Sequence, residues 1–129
     1  MSESGNLALE YRGDCLVVRV RGRAIIERTE ETMHAIAAAI SQRPVRATLI
    51  DLREMEGPIQ FMDRFRLGEA AGRHLPRTGV GALILESQAD SGRIGEVAAR
   101  NRGATLQVYT DPAAAEAWLR TRAKPDADG

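Results

Sequence analysis

Ala47-Thr48-Leu49-Ile50-Asp51-Leu52 is a short apolar run that ends in charge. A strand wetted on one face alternates apolar and polar residues; a run without that alternation is buried on both. Strands of that kind belong to parallel sheets, and parallel neighbours need crossover connections, usually helices. The flanking sequence therefore has to supply helices.

It does so on both sides. Upstream, Ile26, Thr29, Met33, Ile36, Ala37 and Ile40 recur at helical spacing. Glu27, Glu30 and Glu31 fall in the first turns, where the helix dipole favours negative charge, and Pro44 closes the helix. Downstream, Gly57-Pro58 makes a turn before a second helix, from about Gln60 to Leu75, which Pro76 and Gly79 end. Its Phe61, Phe65, Gly68, Gly72 and Leu75 share one stripe. A glycine costs a helix about 1 kcal/mol against alanine, and close packing on the sheet is the reason that fits two of them.

Further out, Val80–Leu85 reads as another buried strand. Ser91 is placed to cap a helix in which Ile94, Val97, Ala98 and Asn101 share a face, with Gly103 at its end. Thr105–Tyr109 is the last strand. Asp111 caps a final helix with Pro112 in first position, and Ala114, Ala115, Trp118 and Leu119 form its buried side. At the other end, Leu7–Arg12 and Cys15–Arg21 alternate with period two around Gly13-Asp14, the pattern of an antiparallel hairpin. The expected fold is α/β: a mixed, mostly parallel five-stranded sheet with an N-terminal antiparallel hairpin and about four helices. One domain fills residues 1–129, with an ordered core over about 7–122 and a short polar tail, 123–129.

Composition narrows the function classes. Apolar residues make up 43% and charged residues 28% of the 129, an ordinary globular balance. Eighteen basic residues cancel eighteen acidic ones, so no long-range field draws in nucleic acid or an anionic membrane. The single cysteine, Cys15, forms no internal disulfide. Met1-Ser-Glu-Ser-Gly-Asn has neither the basic nor the apolar stretch of a signal peptide, and no apolar run approaches the ~20 residues of a transmembrane segment. A cytoplasmic location is the expectation.

The element order, together with three stretches, resembles the STAS family of sulfate-transporter and anti-sigma-antagonist domains. The stretches are Leu49-Ile50-Asp51-Leu52 with Gly57 beyond; Met62-Asp63-Arg64 opening the second helix; and Ala99-Arg100-Asn101-Arg102-Gly103 leading to Val108-Tyr109-Thr110-Asp111 and Ala117-Trp118-Leu119. The nearer likeness is to SpoIIAA-like proteins of unknown function, whose shape is also compared with CRAL-TRIO lipid-binding domains. The resemblance implies a bacterial-type regulatory or binding module. One departure stands out. Partner-switching STAS domains open the second helix with an aspartate followed by a phosphorylatable hydroxyl residue, whereas Arg64 and Phe65 follow Asp63 here. No Ser or Thr occurs between Asp51 and Arg77, so that helix has nothing to carry a phosphate.

No residue set announces catalysis. Cys15 lies within the hairpin with neither histidine near it in sequence, and reads as a partly covered structural thiol. His34 and His74 sit singly on two helices without metal-ligand spacing, so no metal and no cofactor are expected. Gly79-Val80-Gly81 precedes a strand, the wrong place for a dinucleotide fingerprint. Ser91-Gly92-Arg93 stands at a strand-to-helix junction where free N–H groups suit an anion, although an ordinary capped helix start explains it as well. The strand ends gather Asp51, Arg53 and Glu54, then Glu86, Ser87 and Asp90, then Thr110 and Asp111. Polar loops of this kind occur in every such fold. Arg66, Arg73 and Arg77 share a face of the second helix, which reads as solvated surface.

The leading expectation is a non-enzymatic regulatory module that contacts a protein partner through the 55–75 segment. Its nominated residues are Met55, Gly57, Pro58, Ile59, Phe61, Met62, Arg64, Phe65 and Gly68, with the apolar residues around the Gly57-Pro58 turn exposed. A second reading is an apolar or lipid-like ligand held between the second helix and the sheet. A third is a small enzyme using strand-end carboxylates. A homodimer stays open.

Overall fold

The computed structural model describes residues 2–4, 7–55, 61–75, 78–85 and 106–123. Six strands form one sheet in strict sequence order: β1 (Ser2–Ser4), β2 (Leu7–Arg12), β3 (Cys15–Gly22), β4 (Ala47–Met55), β5 (Gly79–Leu83) and β6 (Leu106–Tyr109). β1–β2 and β2–β3 pair antiparallel; β3–β4, β4–β5 and β5–β6 pair parallel. The helices are α1 (Ala24–Glu27), α2 (Thr29–Gln42), α3 (Phe61–His74) and α4 (Pro112–Ala123).

The mixed α/β architecture is the expected one, with two additions. β1 extends the sheet beyond the hairpin by three residues. Ser-Glu-Ser has no apolar alternation, and main-chain pairing with Leu7–Leu9 is what places it. The first helix also divides. Arg28 leaves helical geometry (φ −131, ψ 52), and the Thr29 hydroxyl donates to the carbonyls of Ile25 and Ile26 at 2.7 and 3.1 Å, joining the two pieces. The helix expected from Ser91 lies outside the described residues.

Gly13 takes φ +58 in the hairpin turn while Asp14 does not take positive φ, the glycine-first order of a II′ turn. Two layers of core follow from strand periodicity. On one face Leu16, Val18, Val20, Ile50 and Val80 meet Met33 and Ile36 of α2 and Ala70 and Ala71 of α3. On the other, Cys15, Val17, Ala47, Leu49 and Leu83 meet Ala115 and Leu119 of α4. The first four residues of β3 and of β4 are all buried. The Ala47–Leu52 run predicts this for β4. β3, expected to alternate with one wet face, is instead covered on both over Cys15–Val18 because α4 packs on its second side. Tyr11 ties the hairpin to α2: its hydroxyl donates to the Ala39 carbonyl at 2.7 Å, and the Arg43 guanidinium lies 4.9 Å from its ring centroid.

Gly79 and Gly81 have a packing role under α4. A Cβ on Gly81 would sit 2.7 Å from Cζ3 of Trp118, closer than real contacts allow, whereas one on Gly79 would meet Arg122 Cζ at an ordinary 3.4 Å. The indole therefore rests on the bare backbone of β5. Gly81→Ala is expected to destabilise the chain by about 1–3 kcal/mol through overpacking. Gly79→Ala should change stability by less than about 1 kcal/mol. Urea unfolding midpoints check both, and a Gly81→Ala midpoint equal to wild type would mean that the indole moves aside freely.

Candidate functional site

β4 delivers the chain to the nominated site, and its last residues already differ from expectation. Leu52 is half-buried and Met55 is 8% exposed, both packed into the core with Val20 and Ile50. Met55 therefore belongs to the core instead of facing solvent. An extra residue in β4 explains this: Arg19 pairs with Asp51 but Arg21 pairs with Glu54, so β4 advances three residues while β3 advances two. Leu52 and Met55 can then both point to the core, and Arg53 and Glu54 both point outward.

Gly57, Pro58 and Ile59, and the side chains of Phe61 and Arg64, lie outside the described residues. At the start of α3, Met62 is 55% exposed. Beside it Asp63 is recessed and lies 3.9 Å from Arg66. Phe65 is half-buried and Gly68 fully buried. Gly72 is buried as well, next to Ala70 and Ala71. Of the nominated residues, α3 thus arranges Met62 at the surface, Phe65 half-covered and Gly68 inside. Leu85, just past β5, is the other exposed large apolar residue among those described.

Two of the strand-end carboxylates have structural partners. Arg53 grips Asp51 through Nε (3.0 Å), Nη2 (2.9 Å) and its own backbone N–H (3.1 Å). Burial pushes the Asp51 carboxyl up, but the Arg53 hydrogen bonds outweigh it and leave the pKa below the ordinary value. Asp111 accepts from the Ala113 N–H at 3.1 Å, the capping role its position predicts. Glu86, Ser87 and Asp90, and the anion candidates Ser91, Gly92 and Arg93, lie outside the described residues. Cys15 is buried, donates from Sγ to the Leu119 carbonyl at 3.5 Å, and has its pKa raised by burial, which keeps the thiol protonated. No group of three His, Cys, Asp or Glu among the described residues could hold a metal ion.

Sequence reading missed one cluster. Arg73 clasps Glu30 with two bonds, 3.1 and 2.7 Å, and His74 Nε2 lies 2.9 Å from the same carboxylate. His34 approaches His74 edge-on with ring centroids 6.4 Å apart. Arg73 and His74 at the end of α3 thus meet on Glu30 at the start of α2, with His34 of α2 against the His74 ring. A separation of more than forty residues hides such a contact from periodicity.

No family model matches the sequence, and no curated protein does either. Among solved structures, the chain is similar to the crystal structure of an uncharacterized protein of the DUF3478 family with a SpoIIAA-like fold, from Shewanella loihica PV-4. The match covers 92% of this chain and 98% of that one, with a TM-score of 0.51 and 21% identity. At that identity the likeness shows the fold, which is SpoIIAA-like. No described helix is long and apolar enough to cross a membrane.

The Glu30 clasp has a defined pH signature. Hydrogen bonds from Arg73 first, then His74, lower the Glu30 pKa from 4.5 to about 2. A folded-state pKa below the unfolded one means that stability is fully present above the unfolded value and is lost as pH falls through the folded one. The clasp contribution is therefore complete above 4.5 and gone by about 2. Glu30→Gln is expected to flatten this part of the acid limb, modestly because the pair is exposed. Urea unfolding across that window checks it; an acid limb identical to wild type would show that the clasp does not join the helices in solution.

Proposed function

We propose that this SpoIIAA-like domain is a non-enzymatic regulatory module that works in the cytoplasm and contacts a protein partner through the 55–75 segment. The observation that carries the reading is Met62, more than half exposed in the first turn of α3. A flexible, polarizable side chain beside the half-covered Phe65 suits an adaptable protein contact. The absence of any Ser or Thr between Asp51 and Arg77 favours control by partner binding over phosphorylation of this helix. The structural pairing of Asp51 and the burial of Cys15 agree with a non-enzymatic role. Against the rival apolar-ligand reading, the burial of Gly68, Ala70, Ala71 and Gly72 favours close packing over a pocket beneath α3.

A benzophenone photo-crosslinker placed at position 62 is expected to capture a discrete protein in its native cytosol, while one at the exposed Ala38 of α2 captures none. Excess unlabelled wild-type protein should compete that capture away, and excess Met62→Lys protein with an unchanged circular dichroism spectrum should not. Equal capture from both positions, or Met62→Lys protein competing as well as wild type, would remove the assignment.

A further inference from the structure

β3 and β4 are the third and fourth strands of six, the centre of the sheet. Central strands of a parallel arrangement are normally apolar on both faces. Here two-sided burial stops half-way. Beyond Val18, Arg19 and Arg21 are exposed while Val20 between them is buried; beyond Ile50, Arg53 and Glu54 are exposed. By strand alternation Arg19 and Arg21 continue the face of Cys15 and Val17, the face that α4 covers lower down. No described element covers the arginines themselves. The register shift between Arg19 and Arg21 falls at the same level, and bulges are over-represented beside functional sites.

The charges on this half-face are not balanced in exposure. Asp51 is 12% exposed and saturated by Arg53, whose own side chain is 40% exposed. Arg53 spends Nε and Nη2 on the carboxylate. Among the described residues, the Arg21 guanidinium makes only a loose 3.8 Å approach to Glu54. The Arg19 guanidinium feels Asp51 electrostatically but makes no hydrogen bond or ion pair among the described residues. The surface therefore presents the Arg19, Arg21 and Arg53 guanidinium groups over the recessed Asp51 carboxylate, with the Glu54 carboxylate exposed beside Arg21. These donors stand at the carboxyl ends of parallel strands, where open α/β sheets place their ligands.

We infer that the outward half-face of β3 and β4, centred on Arg19 and Arg21, docks an extended acidic segment of a partner protein. Alternate residues of β3 stand about 7 Å apart, the same repeat as alternate side chains of an extended peptide, so two carboxylates spaced by one residue can meet Arg19 and Arg21 together. Guanidinium forks suit carboxylates because both are planar and bond in pairs. Glu54 and Asp51 interrupt any continuous positive track, which disfavours a nucleic-acid backbone, and the chain as a whole is charge-balanced. This strip is separate from the Met62 surface, since α3 packs on the opposite face of the sheet.

Fluorescence anisotropy with a dye-labelled peptide of alternating Glu and Thr, at low salt, tests the assignment. The full chain should bind it, and the Arg19→Gln/Arg21→Gln double variant should bind on the order of tenfold more weakly. An Arg120→Gln/Arg122→Gln variant of equal charge should match wild type, as should Met62→Lys. Urea midpoints confirm that each variant is folded. Equal binding of the double variant, equal binding of the Gln-Thr peptide, or binding of single-stranded DNA or phosphatidylglycerol vesicles in its place would overturn the inference. Loss of peptide binding in Met62→Lys would overturn the separation of the two surfaces.

Discussion

The parallel pairing of Cys15–Arg19 with Ala47–Asp51 carries the rest of the molecule. Each strand brings four consecutive buried residues to it, so the pair exists only if both faces are covered at once. α2 and α3 must close one side and α4 the other. Sheltered main-chain hydrogen bonds depend on that cover, because an unpaired buried amide or carbonyl costs ~1–3 kcal/mol. The two helical layers are thus consequences of one strand pair, and removing either exposes the same hydrogen-bonded centre to water.

Where that constraint ends, the chemistry of the surface begins. Past Val18 and Ile50 the strands continue but the need for cover lapses on one side, and arginines appear. Past Met55 the chain leaves the sheet toward α3, with Met55 itself still anchored in the core. Met55 is buried at the end of β4, whereas Met62 is exposed in the first turn of α3. Parallel strands and their helices bring such termini to one end of the sheet as a matter of connectivity, which is why interaction residues concentrate there.

Much of this was legible from local pattern. Ala47–Leu52 showed its burial by lacking alternation, Gly13-Asp14 showed its turn by composition, and Asp111-Pro112 showed a helix start that the Ala113 N–H completes. Met55 was assigned to the exposed loop because the apolar run ends at Leu52; β4 continues through the charged Arg53 and Glu54 to Met55, and the register shift turns Met55 into the core. β1 was missed because pairing at a sheet edge can hold a polar triplet whose sequence has no strand signal. The cluster at Glu30 was invisible for a different reason: it depends on how two helices meet, which is set by packing of Ala70, Ala71 and Ile36 rather than by anything near Glu30 in the chain.

Arginine is the side chain through which this neutral chain organises its surface; Lys124 is the sole lysine among the eighteen basic residues. Arg12 reaches Glu10 of its own strand and Glu116 of α4, both at 3.0 Å, and so joins the hairpin to the last helix. Arg73 joins α3 to α2, and Arg53 braces the end of β4. An ammonium group could neutralise one carboxylate in each place but could not span two acceptors in a fixed plane. Such exposed pairs add little stability one by one, so their effect is geometric. They fix which charge faces inward and which outward. At Asp51 and Asp63 the carboxylate is the recessed partner, at 12% and 14% exposure. A chain with no net charge can thereby present a locally positive face without paying for a charged interior.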